Sequence, residues 1–200
     1  MSLNIKIILA SVREGRFGDK PAEWITTITK EKEELSVELL DLRDYSLPIF
    51  QEGVSPAEIK GEYRTPEINR WAKKIAEADG FIIVTPEYNH GYPSSLKNNI
   101  DYLYKEWNNK PVCFVGYGST GGARVIKQLR QVSTELQMAP IRNSVHFMSP
   151  WFLTETDGTL KAGVFDVYVK SAESMLGQLI WWANALKKAR EQYDEYKTIN

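Results

Sequence analysis

Two arginines and two glycines follow the first apolar run of the sequence, and residues of these types can hold a phosphate there. Ser11, Arg13 and Arg16 come directly after the run 4–10, and a helical pattern begins at Asp19. Backbone N–H groups and the helix dipole favour an anion at a helix start. Arginines add charge-assisted hydrogen bonds, and Asp19 is expected to cap the helix. The alternative is an ordinary surface loop with solvated arginines, since such loops are common.

Two further polar loops follow apolar runs, at residues 86–91 and 118–122. The Tyr88 ring and the Asn89 amide could border a planar heterocycle. The glycines of the second loop let backbone approach a ligand closely. A dinucleotide would call for a Gly-x-Gly-x-x-Gly first turn, which is absent here. The three loops together fit a flat ring system with one phosphate at its far end.

Five apolar runs alternate with helical patterns along the chain. The predicted strands are 4–10, 35–42, 80–85, 110–117 and 140–147, and the predicted helices are 19–33, 66–78, 94–107, 123–138 and 165–191. This alternation predicts an α/β fold in which helices cover both faces of a doubly wound, five-stranded parallel sheet. In the order 2-1-3-4-5 the three polar loops would meet in one crevice. We expect a single domain over residues 1–200.

The predicted helix 94–107 carries aromatic residues outside its core face. Tyr102, Tyr104 and Trp107 suggest an exposed apolar patch and hence self-association. Surface tyrosines on an ordinary helix are the alternative.

Composition narrows the possible functions. The net charge of −1 gives no sign of a nucleic-acid or membrane partner, and no apolar run is long enough to span a bilayer. The single cysteine, Cys113, lies in a predicted strand and excludes an internal disulfide framework. Two histidines and one cysteine are too few for a structural zinc site, so we expect no metal site. Without a signal-peptide pattern we expect a cytoplasmic protein.

The three polar segments resemble the signature loops of the NADPH-dependent FMN reductase family. Segments 10–18, 85–93 and 117–122 carry this resemblance. It implies a flavodoxin-like fold, bound FMN, and NADPH or NADH as co-substrate. The implied activity passes hydride through FMN to a small acceptor such as a quinone, a flavin or an azo compound. The resemblance also implies a homodimer or homotetramer, with the helix 94–107 in the interface.

The resemblance also assigns the site residues. Those implied to hold the FMN phosphate are Ser11, Arg13, Arg16, Phe17 and Gly18. Those implied to contact the isoalloxazine and ribityl chain are Pro86, Glu87, Tyr88 and Asn89. Those implied to border the pyrimidine side are Gly118, Ser119, Gly121 and Gly122. Family members often carry Ser in place of Arg16 and Asn in place of Gly18.

The chemistry of such an enzyme belongs to its flavin, so we name no catalytic residue. His90 invites a proton-transfer role, although a turn histidine is more often solvated. Two other functions remain open at this point. One is a non-enzymatic flavodoxin-like electron carrier or redox sensor, and the other is a nicotinamide-dependent dehydrogenase without flavin.

Overall fold

A computed structural model describes residues 2–199 of the chain, with side chains as far as residue 193. The strands are β1 (Leu3–Leu9), β2 (Leu35–Asp41), β3 (Gly80–Pro86), β4 (Pro111–Gly118) and β5 (Ala139–Met148). The α-helices are α1 (Asp19–Lys30), α2 (Pro66–Ala76), α3 (Ser94–Asp101), α4 (Ala123–Glu135) and α5 (Val169–Ile199). Short 3₁₀ helices lie at Pro56–Glu58, Pro150–Phe152 and Asp166–Tyr168.

Within the described chain the strands form one parallel sheet in the order β2-β1-β3-β4-β5, which confirms the predicted topology. β3 is buried along its whole length, as an uninterrupted apolar run predicts for a strand covered on both faces. The right-handed crossovers that parallel strands require place helices on both faces.

Each face of the sheet has its own apolar core. On one face Trp71 of α2, Leu96 of α3 and Leu129 of α4 pack over the sheet. On the other face Ile25 of α1 and Leu179 of α5 pack over β1, β3 and β4. The sheet therefore lies between two layers of helices, and loops form the surface at its carboxyl edge.

Several helix boundaries differ from the sequence prediction, and the end of α3 and the cap of α1 are the differences that affect packing and the site. α3 ends at Asp101 rather than at residue 107. The chain turns there and buries Tyr102, Leu103 and Trp107 in the core. The exposed aromatic patch predicted for this segment is therefore wrong. At α1 the N-cap residue is Gly18 and makes no side-chain cap. The predicted cap by Asp19 is also wrong, because the Asp19 carboxylate binds Arg16 instead.

None of the described helices combines the length and the apolar composition that a membrane crossing requires.

Candidate active site

A cleft of about 410 Å³ lies at the carboxyl edge of the sheet, between the loops that follow β1, β3 and β4. The residues predicted for the site that line it are Arg13, Arg16, Phe17, Pro86, Glu87, Tyr88 and Gly118. The predicted residues that do not line the cleft are Ser11, Gly18, Asn89, Ser119, Gly121 and Gly122. The parallel order of the strands brings these loops together, because residues far apart in the chain share one edge of the sheet.

Arg16 is buried, and the loop around it uses all of its hydrogen-bonding capacity. Its Nε and Nη2 atoms donate to Asp19 at 2.8 and 2.6 Å. Nη1 and Nη2 reach both carboxylate oxygens of Asp41, and Nη1 also donates to the Ser11 carbonyl. A guanidinium has five N–H donors, and these contacts account for all of them. Arg16 therefore fixes the first loop against β2 and α1, and its role as a direct phosphate ligand stays a prediction.

The ion pair between Arg16 and Asp41 shifts the pKa of both residues. The hydrogen bonds to Asp41 raise the pKa of Arg16 above its usual range. Burial alone would raise the pKa of Asp41, but the hydrogen bonds and positive charges of Arg16 and Arg43 together outweigh it and hold that pKa below its ordinary value. With Asp19 also bound, two carboxylates hold this one guanidinium.

Arg13 and Lys20 supply the positive charge that faces the cleft. The Arg13 guanidinium lies 5.6 Å from the centre of the Tyr88 ring, and both cations line the cleft. The backbone N–H groups of residues 15–18 donate to no acceptor within residues 2–199. Lys20 was missed by the sequence analysis. A cation in the first turn of a helix is electrostatically unfavourable by itself. The position of Lys20 there is therefore the sequence feature that points to an anion-binding role.

Ser11 joins the first loop to the loop after β3. Its buried hydroxyl lies 2.7 Å from the Tyr88 hydroxyl. Tyr88 and Gly91 exchange two backbone hydrogen bonds, so residues 88–91 form a tight two-residue turn. Asn89 and His90 at its tip have φ of 49° and 70°, the left-handed geometry that such a turn requires. Both side chains are exposed there, which places Asn89 at the rim.

Glu87 links the loop after β3 to the start of α4. Its carboxylate accepts hydrogen bonds from the Arg124 side chain and, at 3.0 Å, from the Arg124 backbone N–H. Burial raises the pKa of Glu87, but these hydrogen bonds outweigh it and keep the pKa below its ordinary value. Glu87 is therefore a fixed carboxylate that positions two of the three loops.

The glycines after β4 allow this loop to turn back against the sheet. Gly121 and Gly122 have φ of 63° and 72°. A Cβ at Gly122 would lie 2.9 Å from the Gly116 Cα, and one at Gly121 would lie 2.8 Å from the His146 Cβ. Their glycine identity is explained by this packing, so their contact with a ligand stays a prediction. The Ser119 side chain is exposed beside them.

Tyr117 is a second residue that the sequence analysis missed. It lines the cleft near the end of β4, and its hydroxyl is buried without a hydrogen-bond partner among the described residues. A Cβ at Gly18 would lie only 2.6 Å from that hydroxyl, so glycine is required for the close approach. Burial raises the pKa of Tyr117, and the hydroxyl is therefore a neutral donor facing the first loop.

The segment after β5 closes one side of the cleft. Trp151 and Thr154 line it, and Trp151 is 56% exposed. Phe152, also exposed, packs edge-on against Trp151 with ring centres 6.0 Å apart. The sequence predicts irregular chain here, and the family resemblance implies that Trp151 or Phe152 shapes substrate entry at a subunit boundary.

Comparison with known proteins places this site in a family. The model of the family described as NADPH-dependent FMN reductase matches residues 3–151. An NAD(P)H-dependent FMN reductase of Schizosaccharomyces pombe is 40% identical over 134 residues, which cover 67% of each chain. A quinone reductase of Escherichia coli is 32% identical over 154 residues, covering 73% of this chain and 77% of that protein.

A solved structure shares the fold at low sequence identity. The flavoenzyme NAD(P)H:(acceptor) oxidoreductase FerB of Paracoccus denitrificans superposes with a TM-score of 0.67 at 19% identity. The match covers 93% of this chain and 98% of that one. The three loops, the strand order and the family match agree with one another: the chain belongs to the NADPH-dependent FMN reductase family.

Proposed function

We propose that this chain passes hydride from NAD(P)H through FMN, held in the cleft at the carboxyl edge, to a small electron acceptor such as a quinone, a flavin or an azo compound. The observation that carries the proposal is that Arg13, Lys20 and residues 15–17, whose backbone N–H groups have no acceptor among the described residues, line the same cleft as the loops after β3 and β4. Its volume lies in the usual range of small-molecule sites.

The first loop would hold the phosphate of FMN. Arg13 and Lys20 supply charge, and the backbone N–H groups beside Phe17 and Gly18 supply hydrogen bonds at the start of α1. Ser11 lies at the base of this loop, and Arg16 keeps the loop in shape. The buried Tyr117 hydroxyl still has a hydrogen bond to give, and a phosphate or ribityl oxygen next to Gly18 could accept it.

The loops after β3 and β4 would hold the ring. Pro86, Glu87, Tyr88 and Asn89 offer backbone groups and one aromatic side, and Gly118, Ser119, Gly121 and Gly122 offer backbone on the opposite side. FMN, when bound, supplies the redox chemistry by accepting hydride and giving electrons to the acceptor. The protein would bind, orient and shield the FMN, and we assign no side chain as an essential acid or base. His90 lies exposed at a turn tip.

The exposed Trp151 on the wall of the cleft offers a flat apolar surface, which suits flat acceptors that leave after each turnover. We propose a cytoplasmic enzyme of one domain over residues 1–200 that works as a homodimer or homotetramer. Its reductant is NADPH, or NADH in its place.

The test is a spectrum followed by kinetics. We expect the purified protein to take up FMN, to show a flavin spectrum and to oxidise NAD(P)H when a quinone is added. Protein that stays colourless and takes up no added FMN would contradict the proposal. Bound flavin without NAD(P)H oxidation would instead identify an electron carrier, and NADPH oxidation without flavin would identify a dehydrogenase.

A further inference from the structure

The outer face of α5 carries an apolar centre that no other described residue of the chain covers. Trp181 is 65% exposed and lies beside the half-buried Ile180. Around them runs a groove of about 590 Å³, lined by Gly177, Ile180, Trp181, Asn184, Ala185 and Lys188. The core-facing side of the helix is formed by other residues, such as Ala172, Met175 and Leu179. A large exposed tryptophan at the centre of such a face marks an interaction surface.

Charged residues flank this apolar centre in a regular order. Lys170 and Glu173 precede it, Lys188 and Glu191 follow it, and all four are exposed. Their spacings of three and four residues place them on the same stripe as Gly177 and Trp181. Along the chain the stripe therefore runs positive, negative, apolar, positive, negative.

These charges lie too far apart to pair within one helix across the apolar centre. Glu173 and Lys188 are 15 residues apart, which is about 22 Å along a helix. Lys170 and Glu191 are farther apart still. Glu173 does accept a hydrogen bond from Lys32, at 2.6 Å, through its Oε2 atom. Its Oε1 atom has no hydrogen-bond partner within the described part of the chain.

We propose that this stripe is a two-fold interface on which α5 packs antiparallel against α5 of a second copy of the chain. The symmetry axis passes between Ile180 and Trp181. Trp181 then packs on the partner's Ile180, and Gly177 faces the partner's Asn184. In the same register Glu173 faces the partner's Lys188, and Lys170 faces the partner's Glu191. A two-fold axis repeats each contact, so every charge meets an opposite one.

The charge order selects a second copy over other occupants. The stripe is complementary to its own reverse, whereas a parallel copy would set each charge against a like charge. Tryptophan at the centre of a patch with a charged rim is typical of protein interfaces. This inference names an interface for the homo-oligomer proposed above, but its evidence is independent of the FMN site, because α5 lies outside the segment that the family model matches.

The first test is the molar mass by light scattering of Trp181→Glu against wild type. The chain mass is 22.9 kDa. We expect wild type at an even multiple of this mass and Trp181→Glu at half the wild-type value. Ile49→Glu, which alters an exposed apolar residue elsewhere, is the matched control and should leave the mass unchanged. A monomeric wild type, or equal masses for wild type and Trp181→Glu, would overturn the proposal.

A charge exchange tests the register and spares the tryptophan. Lys170→Glu and Glu191→Lys should each weaken the dimer about tenfold, since each places two like-charge contacts in the interface. The double variant exchanges the pair and should return to near wild-type affinity. If the double variant is as weak as the two single changes combined, the antiparallel register is wrong.

Cysteine cross-linking gives a readout independent of affinity. Gly177→Cys with Asn184→Cys should form a covalent dimer on mild oxidation. Either substitution alone should not, because each position faces the other in this register and lies about 10 Å along the axis from its own copy. Cross-linking by both single variants, or by none of the three, would rule out this arrangement.

Discussion

Arg13 and Arg16 lie three residues apart in one loop, yet the structure gives them different work. Arg16 is buried, and its five donors are taken by Asp41, Asp19 and the Ser11 carbonyl. Arg13 is exposed at the cleft beside Tyr88. From the sequence both are cations after a strand. The two differ only because Arg16 is buried and because β2 places the Asp41 carboxylate beside it. Arg16 is therefore structural, whereas Arg13 is free to bind an anion.

This division predicts different failures for the two alanine variants. Arg16→Ala should lower the free energy of unfolding by about 2 kcal/mol, because it leaves two carboxylates and a carbonyl without their charged partner. Arg13→Ala should leave the unfolding energy within about 0.5 kcal/mol of wild type and weaken FMN binding about tenfold. Urea unfolding and fluorescence titration with FMN measure the two effects. The division would be wrong if Arg13→Ala proved the less stable variant.

Lys110 is a buried cation outside the cleft. It is 6% exposed, and its Nζ atom donates to the Ile75 and Ala76 carbonyls at 2.8 and 2.9 Å, near the end of α2. Burial, assisted by the charge of Arg190, lowers the pKa of Lys110 to about 7, although Asp79 and Glu106 oppose the shift. Folding therefore makes the Lys110 ammonium group easier to deprotonate.

The direction of the shift fixes the pH dependence of stability. Between pH 7 and the ordinary lysine value of 10.5 the unfolded chain binds the Lys110 proton and the folded chain releases it. Stability therefore rises with pH across this window. We expect the unfolding energy of wild type, measured relative to Lys110→Met, to increase from pH 7 to pH 9.5. A difference that is flat or falls over this range would show that the folded chain keeps the proton.

Among the elements, the strands were predictable and the end of α3 was not. The strands at the centre of the sheet read as continuous apolar runs because both faces are buried. After Asp101 the chain leaves the helix but stays in the core, so Leu103 and Trp107 continue an apolar pattern that resembles helical spacing. A buried turn and a continued helix give the same spacing of apolar residues there. The turn also contains no proline or glycine that would indicate the end of the helix. Lys20 and Tyr117 were missed for a related reason, because their function depends on what the fold brings beside them.

The link between Glu87 and Arg124 is the element-scale feature that sets the ring end of the cleft. Glu87→Gln keeps the shape of the side chain but removes the charge that binds Arg124 and the first turn of α4. We expect a loss of about 1–2 kcal/mol in unfolding energy and a several-fold weaker affinity for FMN. Glu135→Gln, at an exposed position at the other end of α4, is the matched control. An affinity for FMN unchanged in Glu87→Gln would show that the loops keep their geometry without this link.

For the whole molecule, the site is a consequence of strand order. Residues 11–20, 86–91 and 117–122 are distant in the chain, and they meet because β1, β3 and β4 are neighbours that end at one edge. That arrangement could be predicted, because apolar strands alternating with helices leave few topologies. In the chain after β5, which carries no regular pattern, Trp151 was expected near the site only from the family resemblance, and Thr154 was not expected there.

The sheet also joins the cleft to the rest of the molecule, and this predicts how FMN acts on unfolding. Both cores pack on the same strands, so we expect residues 2–199 to unfold in one cooperative transition that FMN shifts as a unit. At a free FMN concentration 100 times Kd the stabilisation should be about 2.7 kcal/mol, which raises Tm by roughly 5–10 °C for a chain of this length. Arg13→Ala should show a smaller shift at the same FMN concentration, because its Kd is higher. Calorimetry with and without FMN measures this, and two transitions of which only one responds to FMN would reveal a unit that folds independently of the cleft.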